Sequence, residues 1–171
     1  NDDDLIMISD VDEIPNPKKI SEFNVKNKYA CFIQKNFQAK INQLNITEKN
    51  WAGTKIAQKK FLKSPQWLRN IKTKKRKFWA FYKDKEPQII LDGGWHFSFL
   101  KKSNLIQKKI KSFAHQEFNQ KNFTNMEQIE RRINSGIDIF ERDYKYEKVK
   151  LDEEFPNYIL ENRLKFKDWI L

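Results

Sequence analysis

A four-residue apolar run, Leu5-Ile-Met-Ile8, passes directly into Ser9-Asp10-Val11-Asp12-Glu13. So short and unbroken a run reads as a strand buried on both faces, as in a parallel sheet. The acids then sit at its carboxyl end, the edge where open α/β sheets hold ligands. Asp10 and Asp12 share one turn, so both carboxylates can reach a single cation, and hard oxygen donors suit Mg²⁺ or Mn²⁺. A cation there would neutralise a diphosphate and stabilise it as a leaving group. The competing reading is a polar turn whose acids cap the next helix. Asn16 offers an N-cap and Pro17 suits a first helical position, so a short helix is expected from about residue 17.

Further along, Tyr29 to Ile41 is rich in aromatic and β-branched residues and predicts one or two strands. Asn45 to Ser64 is polar, with Trp51-Ala-Gly-Thr54 read as a loop. Phe78 to Tyr82 and Gln88 to Leu91 read as strands. After Asp92-Gly93-Gly94, Trp95 to Leu100 resumes as an extended segment, with Trp95, Phe97 and Phe99 on one side and His96 and Ser98 on the other. Asn104 to Ser112 predicts a helix. A second helix carries a Thr124/Glu127 capping box, a Met126, Ile129, Ile133 stripe and a terminating Gly136. A last helix is expected from Pro156. With no internal repeat and no Pro- or Ser-rich linker, residues 1–171 read as one α/β domain.

Composition narrows the function classes. Hydrophobic residues make up 39% of the 171 and aromatics 14%, which favours a folded domain over a disordered tail. Cys31 is the one cysteine, so no internal disulfide forms. Neither Leu5–Ile8 nor Ile89–Leu91 is long enough to cross a membrane. The net charge of +11 suits a basic surface around an anionic substrate, with nucleic acid or an acidic membrane as the other anionic partners. The Lys72 to Lys77 run reads as a solvated face. Asn45-Ile-Thr47 and Asn122-Phe-Thr124 match glycosylation sequons.

Two further segments could carry chemistry. The paired glycines Gly93 and Gly94 allow close backbone approach to a ligand, with Trp95 to stack on a sugar and His96 beside it. Against this stands a hairpin-like turn beside core aromatics. His115-Gln116-Glu117 combines a metal ligand with a general base, or else lies exposed after a helix.

Taken together, these motifs resemble glycosyltransferase family 17, whose animal members include the enzyme that adds bisecting N-acetylglucosamine to N-glycans. The matching stretches are Ile6-Met-Ile-Ser-Asp-Val-Asp-Glu-Ile-Pro15, Trp51-Ala-Gly-Thr54, Gly93-Gly-Trp-His-Phe-Ser98, Lys109-Ile-Lys-Ser-Phe-Ala-His-Gln-Glu117 and Phe155-Pro-Asn-Tyr-Ile-Leu-Glu-Asn162. They span nearly the whole chain in family order.

The resemblance implies a GT-A-like fold, a mostly parallel sheet with flanking helices. It also implies metal-dependent, inverting transfer of N-acetylglucosamine from UDP-N-acetylglucosamine to a glycan acceptor. Asp10 and Asp12 then hold Mn²⁺ or Mg²⁺, with His115 as a further ligand. Gly93, Gly94, Trp95, His96 and Arg69 face the donor, and Glu117 or Asp92 serves as base, with Glu13 as a rival. GT-A folds place nucleotide-binding βα units before the D-x-D, so the chain is expected to be the C-terminal part of a catalytic domain, with the N-terminal half as a partner. Cytoplasmic location fits a microbial source and the Golgi lumen an animal one. The alternatives are a haloacid dehalogenase-like phosphatase, which usually follows its D-x-D with Gly-Thr rather than Glu13-Ile14, and a basic nucleic-acid-binding protein, for which no recognition motif is present.

Overall fold

The computed structural model describes residues 1–74, 85–112 and 120–171. Among these residues eight strands are formed: β1 (Leu5–Ile8), β2 (Glu13–Pro15), β3 (Tyr29–Gln38), β4 (Gln43–Asn45), β5 (Asn50–Gln58), β6 (Gln88–Ile90), β7 (Gly94–Ser98) and β8 (Tyr146–Lys148). The helices are α1 (Pro65–Arg69), α2 (Ser103–Lys111), α3 (Lys121–Thr124), α4 (Met126–Asn134) and α5 (Asn157–Glu161). Among the described residues, no helix is long and apolar enough to cross a membrane.

The expected mostly parallel GT-A sheet is not what the strands build. They pair in the order β1-β5-β3-β4-β8, with β2, β6 and β7 off this path. The pairings β1–β5, β3–β5, β3–β4, β4–β8 and β2–β7 are antiparallel, and β3–β6 is parallel. Connection length accounts for two of these pairings. Only residues 39–42 join β3 to β4, and only residues 39–49, with β4 among them, separate β3 from its partner β5. A parallel crossover needs about a dozen residues or more, so these neighbours can only run antiparallel.

The reading of β1 as an interior parallel strand is corrected too. Among the described residues β1 stands at the end of the strand path, pairs with β5 alone, and has no fully buried residue. An apolar run does not distinguish a strand covered on both faces from a half-covered one. The Trp51-Ala-Gly-Thr54 segment is no loop but the first half of β5. Gly53 belongs there because a Cβ at that position would lie 2.1 Å from Gln34 Oε1. The second helix is capped one residue later than expected. Asn125, not Thr124, accepts from Gln128 N (3.1 Å), while the Thr124 hydroxyl donates to Gln120 O (3.0 Å). The strand expected over Phe78 to Tyr82 and the end of the Lys72 to Lys77 run lie outside the described residues.

Other local readings match. Asn16 accepts from Lys18 N (3.1 Å) at the start of a 3-10 helix, Pro17–Glu22. Gly136, at φ +67°, follows α4.

The chain clusters into two compact units, residues 1–35 with 50–96 and residues 36–49 with 97–171. In the first, Phe23, Ala30, Phe32, Ile56 and Ile90 form one core, and Tyr29, Ala57, Leu68 and Ile71 form another. In the second, the apolar faces of α2 and α4 supply Ile106, Ile110, Ile129 and Ile133, which pack with Ile139 and Phe140.

Candidate functional site

The D-V-D-E turn lies in the first unit, at the carboxyl end of β1. Glu13 N donates to Asp10 O (3.0 Å) and closes the turn, and Asp10 N donates back to Glu13 Oε2 (3.1 Å). The other Glu13 oxygen accepts from Trp51 Nε1 (2.8 Å). Both carboxylate oxygens of Glu13 are therefore engaged in holding the turn against β5.

Asp10 is clamped from α1. Arg69 Nε donates to its Oδ1 (2.9 Å) and Nη2 to its Oδ2 (2.7 Å), a bidentate pair that raises the Arg69 pKa above its ordinary value. The pair is solvent-facing, with side chains 52% and 41% exposed, so its strength is that of a screened surface bridge. Asp12 has a different neighbour. Its Oδ2 lies 3.7 Å from Nε2 of the buried His96, an ion pair whenever the imidazole is protonated. His96 in turn stacks on Trp51, ring centroids 4.2 Å apart and planes within 9°.

The Asp92–His96 segment meets this turn through the backbone. β2 and β7 pair Glu13 with His96, Ile14 with Trp95 and Pro15 with Gly94. Asn16 N donates to Gly93 O (2.8 Å), and its side-chain amide donates to Asp92 O (3.3 Å). Both glycines are needed by this packing. A Cβ at Gly93 would fall 2.6 Å from Phe32 Cβ, and one at Gly94, where φ is +139°, would fall 2.1 Å from Ile14 O. Their hydrogen-only α-carbons fit against protein, and Trp95 and His96 are both buried. Asp92 is exposed and held at φ +50°, with its carboxylate making no hydrogen bond or ion pair among the described residues. Asp10, Asp12, Arg69, Asp92, Gly93, Gly94, Trp95 and His96 thus belong to one unit. His115 and Glu117 lie outside the described residues.

Could the turn take a divalent cation? Among the described residues no three His, Cys, Asp or Glu side chains cluster as a metal site. The turn offers two half-exposed carboxylates, one of them already bridged to Arg69. That donor set fits a cation of the Mg²⁺ class, which commonly takes one or two carboxylates and completes its shell from substrate phosphates and water.

Four side chains have roles that the sequence reading did not give them. Trp51 and Glu13 brace the turn. Gln34 is buried, donates to Thr54 Oγ1 (3.0 Å) and leaves Oε1 without a partner among the described residues, while the Thr54 hydroxyl reaches Ser9 Oγ (2.6 Å). Lys55 is buried inside β5. The missed signal was a lysine within the otherwise neutral run Ala52-Gly-Thr-Lys-Ile-Ala57, a charge where a strand interior is apolar. Cys31 carries no chemistry here. Burial pushes its thiol up to about 11, against the pull of the Lys55 charge.

In the second unit a cleft of about 600 Å³ is lined by Lys40, Lys101, Lys102, Met126, Asp168 and Trp169 among others, and holds none of the residues read from sequence as catalytic, donor-binding or metal-binding. Of the two sequons, Asn45 is buried, with its amide oxygen accepting from Thr47 N and Glu48 N, whereas Asn122 is exposed.

The model of the family described as Glycosyltransferase family 17 matches residues 1–168, and the chain belongs to that family. No curated protein and no solved structure matches it.

Proposed function

From that membership we propose that the chain carries the metal- and diphosphate-binding face of an inverting transferase that moves N-acetylglucosamine from UDP-N-acetylglucosamine to a glycan acceptor. One observation carries the reading most directly. Two solvent-reachable carboxylates, Asp10 and Asp12, share a braced turn, and Arg69, which bridges Asp10, is held there by a surface ion pair. Membership also favours a transferase over the phosphatase and nucleic-acid-binding readings.

Inversion requires one in-line displacement at the anomeric carbon, with a base on the acceptor side and charge stabilisation on the diphosphate side. Asp10 and Asp12 would hold Mn²⁺ or Mg²⁺, which when bound supplies Lewis-acid stabilisation of the leaving diphosphate. Arg69, exchanged from Asp10, turns its planar fork to a phosphate. Gly93 and Gly94 let β7 close on β2, and Trp51 and His96 form an aromatic wall beside Asp12. Glu117 or Asp92 removes the acceptor proton, since both Glu13 oxygens are already occupied.

Asp12→Asn tests the diphosphate side. Transfer or hydrolysis of labelled UDP-N-acetylglucosamine should fall by roughly 10²–10³-fold, the scale of losing one charge-stabilising group. The melting temperature should barely move, because the side chain is half exposed. Full activity of this variant with the metal chelated would overturn the assignment.

A further inference from the structure

Lys55 raises a question that the turn itself does not answer. The residue is 8% exposed, and its ammonium makes one hydrogen bond, to the carbonyl of Gly53 (3.2 Å). No carboxylate pairs with it among the described residues. A buried ammonium carries three donors and a full charge, and one neutral carbonyl satisfies little of either. Proteins seldom keep such a group for stability, since an apolar residue of the same length packs at lower cost.

Its location points to a use. In the β1–β5 ladder Lys55 lies opposite Ile8, the last residue of β1. The Ser9–Thr54 hydroxyl contact (2.6 Å) carries the same register one step further. One more step sets Gly53 level with Asp10. The ammonium bonds to Gly53 O, so it reaches past the end of β1 toward the acidic turn. Arg69 arrives at the same residue, Asp10, from α1.

We infer that Lys55 is a second cation of the donor site, whose buried ammonium binds a phosphate oxygen of the nucleotide-sugar diphosphate alongside Arg69. This rests on the donor-site reading above and adds to it a residue that neither the D-x-D pattern nor the basic surface run indicates. The two cations differ in kind. Arg69 is exposed and exchangeable, whereas Lys55 is fixed in a strand and holds its charge ready before the ligand arrives. Such a point charge on a rigid element suits a phosphate oxygen, and its desolvation strengthens the attraction.

The test pairs stability with binding. Inorganic diphosphate with Mg²⁺ is titrated into wild type, Asp12→Asn, Lys55→Met and Lys55→Gln by calorimetry, and each protein is melted. The Lys55→Met variant should melt at or above the wild-type temperature and bind diphosphate at least tenfold more weakly. A purely structural lysine would give the opposite pattern, with lower stability and affinity unchanged. Affinity within twofold of wild type in a folded Lys55 variant overturns the assignment, even if Asp12→Asn has lost binding and the donor-site reading stands. If wild type itself fails to bind diphosphate, both fall together. Should neither Lys55 variant fold, amine labelling of wild type read by mass spectrometry decides the matter. Diphosphate should slow modification of Lys55 and leave Lys59 and Lys60 unchanged, and equal labelling with and without diphosphate overturns the proposal.

Discussion

The aspartates around the turn of the first unit and the buried aspartate of the second are held in opposite ways. In the first, Asp10 shares an exposed bridge with Arg69, Asp12 faces His96 across 3.7 Å, and the Asp92 carboxylate makes no such contact among the described residues. In the second, Asp138 has no exposed surface. Its oxygens accept from Phe140 N (2.9 Å), Arg142 Nε and Nη2 (3.0 and 2.8 Å), Gln38 Nε2 (3.2 Å) and the Tyr146 hydroxyl (3.1 Å). Nearby, the buried Arg132 donates to Glu141 (2.6 Å), to both Asn122 oxygens and to Ile139 O. A carboxylate whose lone pairs are all filled away from water organises a fold. One at the surface with an exchangeable partner is available to a ligand.

The largest expected effect sets one carboxylate against the other. Asp138→Ala leaves Arg142, Tyr146 and Gln38 without their acceptor and should cost about 3–5 kcal/mol, the range for breaking a buried charge pair. Asp10→Ala should cost no more than about 1 kcal/mol, as exposed bridges do. Urea denaturation of the two variants measures both. Equal losses would mean that the Asp10–Arg69 bridge is structural, and the contrast between the units would collapse.

A smaller effect concerns the base. Glu117→Gln should lower kcat by about a hundredfold, the scale of lost general-base catalysis, with donor affinity little changed. An unaltered kcat passes the role to Asp92, and Asp92→Asn should then show the same loss. That outcome would keep every reactive acid among the exposed carboxylates of the first unit.

The contrast also explains what could be read in advance. Local signals carried well. Asn16 and Pro17 start a helix, the apolar run of β1 ends at its acids, and β7 and α2 fall within two residues of their expected bounds. Strand direction did not carry, because it depends on what each strand pairs with rather than on its own residues. Trp51-Ala-Gly-Thr54 was misread since Gly53 weakens a strand pattern, and only the fold shows that the Gln34 side chain packs where a larger residue would sit. Thr124 and Asn125 are both good caps, and sequence could not choose between neighbours. The partners of the key acids are distant in the chain, Arg69 for Asp10, His96 for Asp12 and Trp51 for Glu13, so the fold alone brings them together.

The smallest effect is a pH dependence that should reside in the second unit. Burial alone would raise the Asp138 carboxyl, but the Arg142 hydrogen bonds and charge, the Phe140 N–H and the Gln38 amide together hold it below its ordinary value of 3.8. Glu141 is lowered as well, chiefly by its hydrogen bond from Arg132. A depressed folded-state pKa means that the unfolded chain binds protons first as pH falls. Stability from these groups is therefore complete above the unfolded value and is lost as pH drops through the folded one. The melting temperature should decline below about pH 4, the ordinary carboxylate range. Asp138→Asn should start from a lower melting temperature and show a flatter acid decline. Glu141→Gln should flatten it less, since that carboxylate is solvent-screened. An acid decline in Asp138→Asn as steep as in wild type would show that the acid-sensitive groups lie elsewhere, and that the buried network does not set this protein's response to acid.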